Sequence, residues 1–280
     1  MSDICEDETP YNNKNVLITT EDVNKILKRF DIEVECENIG FYRKALVNKS
    51  YVTRKNENFV TGNENCPDDC LPLQEESNER FEFLGDSVLS TTVANYLYER
   101  YPEQQEGFLT KMRSKLVNGY MLADLCRHVG LNKWVIISKQ IEDNDGRDNY
   151  KILEDIFEAF ICAIFMDFNN IKSHQKLDIS GLGFQIAEKW IINVIEDRVD
   201  FAELIKQNKN YKDMLIKYFQ HTYLKLPKFY ENDIKIVNSK KVFTIIIKNE
   251  EQIIGIGKGE TKKKAEQDAS EKALQYFNEL

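Results

Sequence analysis

Two pairs of acids interrupt two otherwise apolar stretches of the chain, each at the spacing of a helical turn. The first stretch is Asn78-Glu79-Arg80-Phe81-Glu82-Phe83-Leu84-Gly85-Asp86-Ser87-Val88-Leu89, and the second is Glu154-Asp155-Ile156-Phe157-Glu158-Ala159-Phe160. Glu82 and Asp86 are i,i+4 and Asp155 and Glu158 are i,i+3, so each pair projects from one helical face. An isolated acid pair of this kind more often faces solvent on an amphipathic helix. Here Phe81, Phe83, Leu84, Val88 and Leu89 surround the first pair, and Ile156, Phe157, Ala159 and Phe160 the second, which shifts the reading to burial. Buried carboxylates are costly unless a cation compensates them. Four inward acids from two packed helices would make an all-oxygen site suited to Mg²⁺ or Mn²⁺, one ion or two. Such a site lowers the pKa of bound water and stabilises charge building on a phosphate under in-line attack.

The rest of the composition narrows the class. No apolar run of the 280-residue chain approaches membrane-spanning length. The first residues, Met1-Ser2-Asp3-Ile4-Cys5-Glu6-Asp7-Glu8, are acidic where a secretory signal is basic and then apolar, so an intracellular protein, cytoplasmic or nuclear and not secreted, is expected. The six cysteines then read as reduced thiols, with Cys126 and Cys162 in helical core patterns. Cys66-Pro67-Asp68-Asp69-Cys70 looks like half a zinc site, but no second pair accompanies it, and a surface loop is the better reading. Charge is uneven. The net is −9, yet residues 209–280 hold fourteen lysines, no arginine and ten acids, or +4, which leaves −13 on the other 208 residues. A basic C-terminal module on an acidic body suggests polyanion binding.

Residues 1–19 read as an irregular, disordered leader. Val23, Ile26, Leu27 and Phe30 have helical spacing after a candidate N-cap at Thr20. A helix is expected over 41–51 with Ala45 and Leu46 inward, then a polar loop over 52–76. Further helices are expected at 78–100, stopped by Tyr101-Pro102, near 110–117, at 119–129 ended by Gly130, and at 150–168. Residues 139–149 read as a charged loop. The last helix of this part covers 184–206, with Ile186, Trp190, Ile191, Val194 and Ile195 as its stripe. Residues 20–206 therefore predict an all-α domain. From 209 to 280 the pattern is α-β-β-β-α: a helix at 211–223, strands at 229–237, 242–248 and 252–258 with a turn at 238–241, and a final helix at 262–277 capped by Thr261.

The run at 78–89 resembles the signature of the ribonuclease III family almost letter for letter. Ala45-Leu46-Val47-Asn48-Lys49-Ser50-Tyr51 is similar to that family's upstream helix, Glu106-Gly107-Phe108-Leu109-Thr110-Lys111-Met112-Arg113 to its Glu-Gly segment, and Glu154–Ala159 to its second acidic motif. Gly255-Ile256-Gly257-Lys258-Gly259-Glu260-Thr261-Lys262-Lys263-Lys264-Ala265 resembles the third strand and second helix of a double-stranded RNA-binding domain. The resemblance implies a homodimeric, divalent-metal-dependent endoribonuclease that cuts double-stranded RNA by metal-activated water, leaving 5′-phosphate and 3′-hydroxyl ends with short 3′ overhangs. Mg²⁺ is the implied cofactor, and Mn²⁺ would substitute. It further implies Glu82, Asp86, Asp155 and Glu158 as metal ligands, Glu79 and Glu106 as auxiliary acids, and Phe83 as an aromatic inserted into the partner subunit. Lys212, Lys240, Lys241, Lys258, Lys262, Lys263 and Lys264 become the RNA-binding lysines. Lysines at a helix N-terminus suit phosphates, because free N–H groups and the dipole add to their charge.

The chain departs from the family at three places. Ile216 stands where these ribonucleases usually have Gln, Lys240-Lys241 replaces a Gly-Pro-X-His loop, and Asn48 stands where bacterial members commonly have His. The first two change sites that normally supply minor-groove contacts, while phosphate binding is expected to survive. Asn48, with a 52–76 loop longer than in compact bacterial forms, points to a viral or eukaryotic member. A non-cleaving protein that sequesters duplex RNA would be expected to lose its acids, and all four are present.

Overall fold

The computed structural model describes residues 9–53, 65–169, 181–206, 210–237 and 240–279. They form two compact units, Met1–Phe201 and Ala202–Leu280.

The first unit is helical. α1 (Thr20–Arg29) buries Val23, Ile26 and Leu27 and begins in a capping box, but its cap is Thr19 and not Thr20. The Thr19 hydroxyl accepts from the Asp22 amide while the Asp22 carboxylate takes the Thr19 amide, which satisfies two otherwise free donors. α2 (Ile39–Ala45) is shorter than the expected 41–51 helix. After Leu46 the chain turns extended so that Val47 can bridge Ile136, with the Asn48 amide donating to the Ile136 carbonyl at 3.0 Å, and only a single 3₁₀ turn, Lys49–Tyr51, follows. Ala45 and Leu46 are buried as expected.

α3 (Glu79–Arg100) packs along α7 (Tyr150–Asn169), the central helix of the unit. α4 (Glu106–Leu116), α5 (Gly119–Val129) and α8 (Leu182–Arg198) complete the layer around them. Gly130 ends α5 at φ 88°, a left-handed conformation that glycine adopts without strain. Trp190 of α8 is fully buried, 5.6 Å from Phe157, 5.5 Å from Phe160 and 6.0 Å from Phe30 between ring centroids. The expected 184–206 helix is two: α8 ends at Arg198, Val199 is extended, and α9 (Phe201–Lys206) starts afresh at the division between the units. Among the described residues no helix is long and apolar enough to cross a membrane.

Two stretches read as loops carry structure of their own. Residues 139–149 contain α6 (Lys139–Asp143) and a 3₁₀ turn, Gly146–Asp148, closed by Arg147. Arg147 donates to Glu142 from Nη2 at 2.6 Å and Nε at 3.0 Å and to the Val135 carbonyl at 2.7 Å. The leader is not free over its described part. Asn12 is buried and donates to the Ile137 carbonyl (3.1 Å) and to Glu142 (3.0 Å). Asn15 both donates to that carbonyl and accepts from the Ile137 amide, so its side chain stands in for a strand neighbour. Residues 1–8 lie outside the described residues.

In the second unit, α10 (Tyr211–Tyr223) precedes an antiparallel sheet of order β1 (Lys228–Val237), β2 (Lys240–Asn249), β3 (Gln252–Gly259), and α11 (Lys262–Tyr276) follows. Leu215 and Phe219 of α10, Ile245, Ile247 and Ile254 of the sheet, and Ala265, Ala269, Ala273 and Leu274 of α11 make its core. The glycines of β3 explain the alanines of α11. A Cβ on Gly257 would stand 2.1 Å from the Ala269 nitrogen and one on Gly255 2.3 Å from the Ala269 carbonyl oxygen, so strand and helix meet backbone to backbone.

Burial pushes the Glu142 carboxyl up, but hydrogen bonds from Arg147 and Asn12 outweigh it and hold the group below its usual range. A depressed folded pKa adds stability that is complete above the ordinary glutamate value, about 4.3. It is lost as pH falls through the lower folded value. Melting temperature should therefore drop between about pH 5 and 3, and Glu142→Gln should flatten part of that drop. Arg147→Met, which strands the buried carboxylate, should cost about 3–5 kcal/mol in urea unfolding at neutral pH.

Candidate active site

The site is set by how closely α3 and α7 approach. A Cβ on Gly85 would lie 1.8 Å from the Glu158 carbonyl oxygen and 2.6 Å from its carbonyl carbon, so no larger residue fits at the crossing. Gly85 sits between the two acids of α3 and faces one of the two on α7, so this contact brings the pairs together.

The four acids differ in environment. Glu158 is 8% exposed. Burial first, then the charges of Asp86, Glu154, Glu82 and Asp155, push its carboxyl up to about 8. Burial also raises Glu82, with Asp155 adding to it and Lys151 opposing, and raises Asp155 against the pull of Lys151. Asp155 Oδ1 is buried, and Lys151 Nζ lies 3.2 Å from it without completing a well-directed hydrogen bond. Asp86 departs from the expectation of burial: it lies on the exposed flank of α3 and accepts from Ser90 at 3.4 Å. The cluster is therefore a cleft with a buried floor at Glu158 and an open edge at Asp86.

Among the described residues no three His, Cys, Asp or Glu side chains converge closely enough to enclose an ion as they stand. The donor set nevertheless fits a hard divalent cation. Every donor is a carboxylate oxygen, Glu158 is pushed up first by burial and then by its negative neighbours, and Asp155 has a buried oxygen short of hydrogen bonds.

The auxiliary acids separate. Glu79 opens α3, lies 3.4 Å from Lys49, accepts from Ser77 at 3.1 Å, and its charge reaches Glu82. Glu106 is an exposed first-turn residue of α4 that accepts from Thr110 at 2.7 Å, and its charge is not among those acting most on Glu82, Asp155 or Glu158. Two participants escaped the sequence reading. Glu154 presses against Gly119, where a Cβ would stand 2.6 Å from its Oε2, and its charge acts on Glu158. Lys151 bridges Glu154 (3.1 Å) and Asp155 (3.2 Å), an i,i+3 and i,i+4 geometry that the sequence already contained. Phe83 is 78% exposed on α3.

In the second unit, Lys262, Lys263 and Lys264 form the first turn of α11, whose cap Thr261 accepts from the Lys264 amide. Lys262 pairs with Glu231 at 3.3 Å and Lys264 with Glu260 at 3.6 Å, both in the solvent-exposed regime where such pairs are weak and easily exchanged for phosphate. Lys241 and Lys258 are exposed, and the side chain of Lys240 lies outside the described residues. Lys212 is different: its ammonium lies 2.7 Å from Glu266 and over the Phe229 ring at 4.8 Å, held within the unit.

Fold and site together define a helical, carboxylate-centred nuclease unit followed by an RNA-binding α-β-β-β-α module. A match to the Ribonuclease III domain covers residues 79–169, and a match to the Double-stranded RNA binding motif covers 211–277. Ribonuclease 3 of Borreliella afzelii is 34% identical over 211 residues, spanning 75% of this chain and 80% of that protein. Ribonuclease 3 of Staphylococcus aureus is 31% identical over 277 residues, spanning 93% and 97%. A probable ribonuclease 3 of Acanthamoeba polyphaga mimivirus is 28% identical over 95% of this chain, which spans about half (47%) of that longer protein. Among solved structures, the nuclease domain of ribonuclease III from Campylobacter jejuni is 27% identical with a TM-score of 0.47, covering 64% of this chain and 97% of that one. The chain belongs to the ribonuclease III family and is an endoribonuclease with a double-stranded RNA-binding module.

Gly85→Val tests the crossing. Forcing the helices apart should lower the melting temperature and cut kcat/KM by about a hundredfold or more, the cost typical of small misplacements at a reacting centre. Duplex RNA binding, read by gel shift, should survive.

Proposed function

We propose that the chain hydrolyses double-stranded RNA as a divalent-metal-dependent homodimer, with Glu82, Asp86, Asp155 and Glu158 as the cleavage centre. The products are 5′-phosphate and 3′-hydroxyl ends with short 3′ overhangs. The observation that carries this reading is the crowding of four carboxylates at the Gly85–Glu158 crossing, with Glu158 pushed up to about 8 by burial and by its acidic neighbours. Mg²⁺, with Mn²⁺ as substitute, matches an all-carboxylate donor set. When bound, such ions supply an activated water and offset the charge that builds on the phosphate.

The chain's own residues do the rest. Glu158 and Asp155 form the floor of the cleft and Asp86 its open edge, where a phosphate could approach. Lys151 holds the Glu154 and Asp155 carboxylates in place, and Glu79, paired with Lys49, flanks Glu82. Glu106 is proposed as an outer acid that comes to the cleft with substrate. Lys258, Lys262, Lys263 and Lys264, with Lys241 and Lys240, hold the duplex through its phosphates. Lys212 is proposed to meet RNA only by giving up Glu266. Phe83, a large apolar ring left in solvent, is the proposed contact with the second subunit, and a two-fold dimer would place two equal centres on one duplex.

Glu158→Gln and Asp86→Asn should each lower cleavage of a long RNA duplex by roughly a thousandfold or more, and EDTA should abolish it. Binding of the same duplex should remain, and should weaken steeply with added salt. Cleavage at the parent rate by either variant would remove the assignment.

A further inference from the structure

Tyr120 and Tyr150 stack in solvent, with ring centroids 4.5 Å apart and planes 21° apart. Tyr120 is 71% exposed and Tyr150 43%. Tyr120 at this exposure forgoes most of what burial offers, and Tyr150 a large part of it, since that gain tracks the apolar area removed from water. Their position is specific, however. Tyr150 opens α7, and Tyr150, Glu154 and Glu158 recur at i, i+4 and i+8, so they share one face of the helix. At the α-helical rise, Tyr150 begins roughly 12 Å along the axis from Glu158. Tyr120 follows Gly119, whose backbone is pressed against the Glu154 carboxylate. Lys151, beside Tyr150 in sequence, carries a largely exposed side chain that bridges Glu154 and Asp155. Tyr150, the Lys151 cation and the α7 acids thus lie within about two and a quarter turns of one helix, with Tyr120 stacked on its start.

We propose that the Tyr120–Tyr150 stack is a platform for one unpaired base of the RNA substrate, next to the cleavage centre. The proposal rests on the four acids being that centre. A base inside a continuous duplex has both faces covered by its neighbours, whereas a bulged or mismatched base has a free face that can be stacked on an aromatic side chain. Any of the four bases can use such a platform, because each has a π-face. A protein partner is a poorer fit. Two rings rimmed by Lys151 and Glu154 are far smaller than the roughly 800 Å² per partner of a stable protein interface. The platform makes the enzyme favour cuts that lie a fixed few nucleotides from an irregularity in the duplex.

The test uses the full chain, Mg²⁺, and RNA duplexes of one sequence, fully paired or with a single unpaired adenosine stepped along one strand. The readout is the ratio of kcat/KM for each irregular duplex to that for the paired one. One position should raise the ratio by roughly fivefold or more through a lower KM. Tyr120→Ala and Tyr150→Ala should return it to about one, and Tyr120→Phe, which keeps the ring, should retain it. The proposal is overturned if no position is favoured, or if the alanine variants keep the wild-type ratio. It also fails if those variants lose both activities together with a change in sedimentation, which would make the rings a subunit contact. Glu158→Gln run alongside separates the two failures: continued cutting by that variant overturns the acid assignment on which the platform rests, whereas abolished cutting by it with no favoured position in the parent overturns the platform alone.

Discussion

The contact on which the first unit depends is a backbone crossing. At Gly85, α3 meets the Glu158 carbonyl of α7 so closely that no Cβ fits between them. Helices usually pack with interaxial distances of about 8–10 Å, set by the side chains at the contact, and removing the side chain allows the shortest approach. The short approach has an electrostatic price. It sets Glu82 and Asp86 beside Asp155 and Glu158, and leaves Glu158 buried among like charges with its proton held to about pH 8. A helix pair stabilised only for itself would separate these acids or replace them with apolar residues, because buried unpaired charge is strongly unfavourable. The arrangement is the one that the proposed cation site would require.

The remaining packing of α7 is what makes that strain tolerable. Trp190, Phe157, Phe160 and Phe30 form a dense aromatic group behind the acids, and Asp167, buried near the far end of α7, is satisfied by Tyr42 and by the amides of Glu37 and Asn38. The contrast between Asp167 and Glu158 on one helix is instructive. Both are buried acids, but one has three donors aimed at it and the other faces carboxylates. Burial alone does not mark a functional acid, and the identity of the neighbours does.

How much of this was legible in the sequence follows from the range of each interaction. The placement of the acid pairs on two helices, the helix ends at Gly130 and Thr261, and the α-β-β-β-α order are local patterns, and they read correctly. So did the glycine-rich third strand, although its reason, the alanine stripe at Ala265, Ala269 and Ala273 pressed on Gly255 and Gly257, is a matter of facing elements. What did not read is long-range. Asn12 and Asn15 bind Ile137 more than a hundred positions away, so the leader looked free. The α2 helix stops at Ala45 because Val47 pairs with Ile136, a partner no window around residue 47 contains. Asp86 looked buried because its sequence neighbours are apolar, yet they lie on the other faces of α3. The pairing of Lys212 with Glu266 of the facing helix is likewise invisible in the local sequence.

The two units solve related problems with the same device. In each, glycine removes the side chain at a crossing so that two elements meet backbone to backbone: Gly85 against Glu158, and Gly255 and Gly257 against α11. The consequences run in opposite electrostatic directions. In the first unit close approach concentrates negative charge, which repels a polyanion until cations are present. In the second, β3 lying tight on α11 fixes Lys258 near the helix start that carries Lys262, Lys263 and Lys264, where charge, dipole and free amides all attract phosphate. An acidic body of −13 cannot by itself gather RNA, and a module of +4 cannot by itself cut it. With the acids as the proposed cleavage centre and the lysines as the proposed phosphate contacts, affinity and chemistry fall on different units, so a change at the acids is expected to stop cleavage without releasing the duplex, and a change at the lysines to release the duplex without altering the acids.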